Sequence, residues 1–218
     1  MADLTALPAA LNYAGVALFA ATGAMAAARR RHDMITFAFF AAITGVGGGT
    51  LRDLLLGAPV WWVKDPMSLT VAVVTGVLVW LLGFREGTQR LLLWPDAVGL
   101  AAFAVIGADK AAALGAAPGV AVTMGVLTAV AGGIIRDVTA GEPSVLLQRE
   151  IYVTAALAGA VVFVGGKALA APDAMSAAAG FAACFVIRAL ALTYGWSLPV
   201  YRAREGRTME EVERLGRG

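Results

Sequence analysis

Apolar windows long enough to span a bilayer as a helix, about 20 residues each, recur along nearly the whole of this chain. No soluble core absorbs that much apolar side chain and still leaves a wettable surface. Only 15% of the 218 residues are charged and 60% are hydrophobic, where a soluble domain of this size carries about 25% charged residues. The mean hydropathy is +0.78. The sequence therefore predicts an all-α integral membrane protein, with seven transmembrane helices at 9–28, 34–56, 67–84, 96–114, 118–140, 151–170 and 174–194. Between them lie Arg29–Asp33, Lys64-Asp65-Pro66, Arg85 to Pro95, Gly115–Pro118, Gly141 to Glu150 and Ala171-Pro172-Asp173. The first apolar stretch has no basic region ahead of it and reads as a retained helix. Residues 1–200 form one transmembrane domain, followed by a charged tail over 201–218.

Orientation follows from the basic residues. Eleven arginines (29, 30, 31, 85, 90, 149, 202, 204, 207, 214 and 217) fall on one side, against Lys64, Lys110 and Lys167 on the other. That bias puts the C-terminus in the cytoplasm and the N-terminus outside. The one cysteine, Cys184, excludes an internal disulfide. A single histidine, His32, without other metal-ligand types around it, leaves no zinc set. No cofactor, catalytic constellation or nucleic-acid surface is legible, so the chain does not read as an enzyme.

The chain also repeats itself. Shifted by 84 residues, TGVGGGTLRDLLLGAP (44–59) falls on TAVAGGIIRDVTAGEP (128–143), with eight identities in sixteen positions and no gap. The same offset pairs Gly15 with Gly99, Phe19 with Phe103 and Gly23 with Gly107. Two apolar helices matching by chance would share Ala, Leu and Val; they would not share an Arg–Asp pair flanked by glycines. Repeat one covers about 9–84 and repeat two about 96–170, with the seventh helix, about 174–194, outside both. Three spans is an odd number, so the second copy enters the membrane from the opposite side, the arrangement many transport proteins use to build a pathway at the repeat interface.

The glycine run is not a nucleotide loop, since Thr50-Leu51 follow Gly49 where a phosphate loop needs Lys-Ser/Thr. Two membrane readings stay open. Consecutive glycines weaken a helix by roughly 1 kcal/mol each and free backbone groups that only a neighbouring helix or a water-filled cavity can satisfy, which favours kinked, pathway-lining helices at Gly47, Gly48, Gly49, Gly132 and Gly133. Close packing of small residues is the plainer reading and suits Gly15, Gly23, Gly76, Gly159 and Gly180. The Arg–Asp pairs are likewise structural or pathway-lining, and cross-pairing of Arg52 with Asp137 and Asp53 with Arg136 would suit an inverted two-fold. Asp109-Lys110 has no counterpart at Met25-Ala26. Lys110 either snorkels to the interface or charges the pathway mouth, as a gating candidate with Asp109. Trp61, Trp62 and Trp94 read as interfacial anchors, and Arg188 as snorkelling or packed at a subunit contact.

With GVGGGTLRD, AGGIIRD, two three-span repeats and a seventh helix together, the chain resembles the bacterial members of the trimeric intracellular cation (TRIC) channel family, over about residues 8–200. The resemblance implies a homotrimer in membrane lipid, with a pore inside each subunit lined by the six repeat helices. It also implies potassium and other monovalent cations as the permeating species. Ala131 stands where the first motif has Gly47. With no carboxylate ring available, Thr44, Thr128 and backbone carbonyls at the glycines are the expected ion ligands. Broken helices around a midplane site also suit a transporter of glycine or another small solute.

Overall fold

A computed structural model describes residues 6–83, 89–144 and 151–199. Arg85, Arg149 and the tail from Tyr201, which carry part of the charge bias, lie outside the described residues. Among those described, the regular structure is eight α-helices: α1 Ala6–Arg29, α2 Met34–Leu55, α3 Trp61–Lys64, α4 Pro66–Leu82, α5 Gln89–Ala113, α6 Pro118–Ala140, α7 Val153–Ala168 and α8 Asp173–Tyr194. The seven expected spans fall on α1, α2, α4, α5, α6, α7 and α8. By length and composition α2, α6 and α8 can each cross a membrane, and α4 and α7 are shorter apolar helices.

Local chemistry sets the boundaries. Asp33 caps α2, its carboxylate accepting the Thr36 N–H at 2.8 Å, and this hydrogen bond holds the Asp33 carboxyl below its ordinary pKa. Gly141 ends α6 in the left-handed region at φ +64°. The two motifs finish alike, with Ala58 N–H bonded to the Asp53 carbonyl and Glu142 N–H to the Asp137 carbonyl, both at 2.9 Å. Pro95 does not delay the fifth helix as expected. It lies inside α5, where it costs one backbone hydrogen bond without ending a helix of this length. The single turn α3 is the element the hydropathy pattern did not predict.

Neighbouring helices run in alternating directions, as the contacts at the two ends of the bundle show. One end gathers Tyr13 with Asp65, Lys110 with Asp53 and Lys167 with Asp109 and Asp173. The opposite end gathers Arg29 with Glu142 and Arg136 with Asp96. In the core, positions related by the 84-residue offset make reciprocal contacts. The Phe19 and Phe103 rings meet at 5.3 Å; the space beside Gly99 is filled by Phe19 and that beside Gly15 by Phe103. Thr44 packs on Gly23, and Thr128 on Gly107. Outside this arrangement, α8 packs on α7 through Gly159 and Gly180, where a Cβ on either would stand 2.8 Å from the other's carbonyl oxygen.

The glycines differ sharply in what they tolerate. A Cβ on Gly48 would drive into the Thr128 carbonyl oxygen, which is backbone and cannot swing away, whereas one on Gly165 meets open space. Thermal unfolding in detergent should therefore show Gly48→Ala destabilised by about 1–3 kcal/mol, the usual cost of overpacking. Gly165→Ala should be neutral, or stabilised by up to about 1 kcal/mol through helix propensity.

Candidate functional site

Helices α2 and α6 cross antiparallel at the two motifs. Gly48 faces the Thr128 carbonyl, and Gly132 faces the Thr44 carbonyl at 2.5 Å from its Cβ position. Both helices remain continuous through their glycines, so the expected interruption is absent. The missing side chains instead let two helix backbones touch. Of the three glycines of α2, two face α6 and one faces α3. Gly48 meets α6, a Cβ on Gly47 would stand 2.8 Å from Ile135 Cδ1, and one on Gly49 would stand 2.6 Å from Trp61 Nε1. In α6, the position beside Gly133 looks toward the Tyr152 hydroxyl at 3.5 Å and Arg136 at 3.7 Å.

Thr44 and Thr128 are buried. Their hydroxyls donate within their own helices, to the Phe40 carbonyl at 2.7 Å and the Met124 carbonyl at 2.6 Å. This bonding to the fourth residue back bends a helix slightly. It also spends the hydroxyl protons and leaves oxygen lone pairs and main-chain carbonyls as the remaining acceptors.

The Arg–Asp pairs do not pair across the halves. Arg52 Nε donates to Asp53 Oδ1 and Arg136 Nε to Asp137 Oδ1, each at 2.9 Å. Antiparallel crossing forbids the exchange. Each pair lies six residues beyond the crossing on opposite sides, so at 1.5 Å per residue the pairs are roughly 18 Å apart.

At the α3 end, Asp53 is fully buried and Arg52 is 3% exposed. The Asp53 carboxylate also accepts the Trp61 main-chain N–H at 3.0 Å and the Lys110 ammonium at 2.8 Å. Lys110 thus joins the motif of the other half and does not snorkel: a buried carboxylate one helix away outcompetes the interface. Asp109 points elsewhere, to Lys167 at 3.1 Å. Trp61 and Trp62 fold back along α2, and Trp62 Nε1 donates to Thr50 Oγ1 at 2.8 Å.

At the opposite end Arg136 reaches Thr22 Oγ1 at 3.0 Å and Asp96 Oδ1 at 3.5 Å. Tyr152 is buried beside this group, with the Arg188 guanidinium 5.0 Å above its ring. Arg188 is 2% exposed and approaches the Ile151 carbonyl at 3.4 Å, so it is an internal residue and not a snorkelling one. Sequence reasoning missed Asp96, Thr22 and Tyr152. An acid just after Pro95, at the start of an apolar span, was the available signal for the first. Below this cluster Arg29 grips Glu142 through two hydrogen bonds of 2.8 and 2.6 Å, tying the end of α1 to the end of α6.

Among known families, the model described as Glycine transporter matches residues 9–83 and 93–168. The chain is similar to the UPF0126 inner membrane protein YadS of Escherichia coli K12, with 40% identity over 201 residues, 89% of this chain and 96% of the relative. Of solved structures, the TRIC trimeric intracellular cation channel orthologue from Rhodobacter sphaeroides superposes with a TM-score of 0.84 at 45% identity, covering 87% of this chain and 99% of that one. A second TRIC cation channel gives 0.81 at 30% identity, covering 90% and 98%.

Two outcomes follow from the charge geometry. Asp53→Ala leaves Arg52 buried without its carboxylate and should cost about 3–5 kcal/mol in detergent unfolding. Lys110→Met removes an ammonium that is 31% exposed and should cost about 1 kcal/mol or less. A further outcome concerns pH. Hydrogen bonding to Arg29 holds the Glu142 carboxyl below its ordinary value, so its contribution to stability is present above the unfolded-state value of about 4.3. It is lost as pH falls through the lower folded-state value. The stability difference between the wild type and Glu142→Gln, measured from pH 7 downward, should hold to about pH 5, shrink from about pH 4.3, and be gone only below the lowered folded-state value.

Proposed function

The chain belongs to the bacterial branch of the TRIC channel family, the family matched by the Glycine transporter model, and on that premise we propose that it is a potassium-permeable monovalent cation channel. Each subunit carries its own pathway, beside the α2–α6 crossing and between the two three-helix repeats of a single transmembrane domain. The protein sits in the bacterial inner membrane as a homotrimer bounded by lipid. The α3 end faces outward, with the N-terminus, and the C-terminal tail is cytoplasmic. The observation that carries this reading is the 45% identity, across 87% of the chain, with a solved TRIC cation channel orthologue. The geometry supports it: the crossing is lined by glycines and main-chain carbonyls and lies between two buried charge clusters.

Such a pathway selects weakly. Asp53 is already neutralised by Arg52 and Lys110, so no free carboxylate ring strips water from an incoming ion, and carbonyls at a helix crossing do not form the fourfold cage of a dedicated potassium filter. A second reading, transport of glycine or a similarly small solute, draws support from the description of the matched family. Proteoliposomes separate the two. The channel reading expects fast potassium flux that does not saturate, falls on Gly48→Val, and discriminates potassium from sodium by far less than about 100-fold. Saturable glycine uptake with no potassium flux would instead make the crossing a solute site.

A further inference from the structure

We infer that α3 is the gate at its end of the pathway, with the Trp61 indole as plug and Asp53 as latch; the inference rests on the pathway proposed above. Residues 56–60 connect α2 to α3, and the Trp61 main-chain N–H sits on Asp53, two residues inside the end of α2. The Trp61 side chain reaches further in, bringing Nε1 to Gly49, six residues inside that end and so about 9 Å deep.

Two anchors of different kinds hold the turn. At its far side Asp65 is fixed firmly: it accepts from Tyr13 Oη at 2.9 Å, Ser68 Oγ at 3.2 Å and the Met67 N–H at 3.2 Å. At its near side the turn hangs on two hydrogen bonds to α2, Trp61 N–H to Asp53 Oδ2 at 3.0 Å and Trp62 Nε1 to Thr50 Oγ1 at 2.8 Å. The Asp53 carboxylate that holds Trp61 also holds Arg52 and Lys110, so it keeps charge partners if the turn lifts away. The turn therefore pivots at Asp65 and releases at Asp53.

The plug itself is poorly satisfied. Trp61 Nε1 is buried with no hydrogen-bond partner among the described residues, and a buried unpaired donor opposes the closed position. Gly49 makes that position available, since a Cβ there would stand 2.6 Å from the indole nitrogen. The opposite end has an aromatic in the corresponding place, Tyr152 against Gly133. That ring is fully buried beneath Arg188, whereas Trp61 is half-buried. Of the two, Trp61 is the movable one. The division of labour also accounts for three consecutive glycines in α2: Gly47 and Gly48 for the Ile135 side chain and the Thr128 carbonyl of α6, and Gly49 for the plug.

The test measures access and flux together. Ile135→Cys, in a Cys184→Ala background, places a thiol beside Gly47, deeper than Trp61 from the α3 end. A membrane-impermeant thiol reagent is added to the α3 side of proteoliposomes, and potassium flux is recorded on the same preparation. Trp61→Ala should raise the labelling rate at least 10-fold and raise flux. Gly49→Ala, which pushes the indole out from beneath, should do the same, while Trp61→Phe, which keeps a ring, should stay near the background rate. Faster labelling without potassium flux in any variant would uphold the gate and sink the cation reading. Unchanged labelling in both Trp61→Ala and Gly49→Ala, with the thiol fully reactive after denaturation, would overturn the gate.

Discussion

Everything in this bundle hangs on two helix backbones touching. Where α2 and α6 cross, Gly48 and Gly132 each lie against the carbonyl of the threonine opposite, and any side chain at either position would force the helices apart. In lipid, helix association is not driven by burial of apolar surface from water, so close van der Waals approach between small residues carries more of the work. The reciprocal seats of Phe19 on Gly99 and Phe103 on Gly15 extend the same internal two-fold into α1 and α5. Hence the duplicated motif first makes a joint between the halves. The proposed pathway is a consequence of where that joint lies.

The charges obey a second constraint. A carboxylate removed from water must be paired and hydrogen-bonded, and each motif supplies its own arginine one residue away. Symmetry stops at the backbone. Asp53 recruits Lys110 and the Trp61 main-chain N–H, whereas Arg136 is shared with Thr22 and Asp96. The position related to Lys110 by the repeat is Ala26. The two ends of an internally symmetric scaffold are thus chemically different.

Hydropathy and the basic and Gly/Pro punctuation were enough to locate every helix but α3, because a run of apolar residues that long leaves the backbone little choice but a helix. The offset of 84 residues exposed the repeat because glycines next to an Arg–Asp pair do not recur by composition alone. Side-chain partners were less legible. Cross-pairing of Arg52 with Asp137 looked natural from symmetry, but it required knowing where along the helices the crossing falls. Lys110 and the Trp61-Trp62 pair were read by interfacial habit; a buried carboxylate and a threonine hydroxyl, both contributed by α2, capture them instead. α3 was invisible because four residues are too few for any periodicity to register.

If a cation pathway passes beside the glycine crossing, a cross-link across that crossing must close it. Gly47→Cys and Ile135→Cys, with Cys184→Ala, put two thiols where the Gly47 Cβ position and the Ile135 side chain stand 2.8 Å apart. Potassium flux would be measured in proteoliposomes before oxidation, after oxidation, and after reduction. The disulfide should abolish flux, and reduction should restore it. Quantitative disulfide formation with flux unchanged would mean that ions pass elsewhere, and the crossing would then be a joint and nothing more.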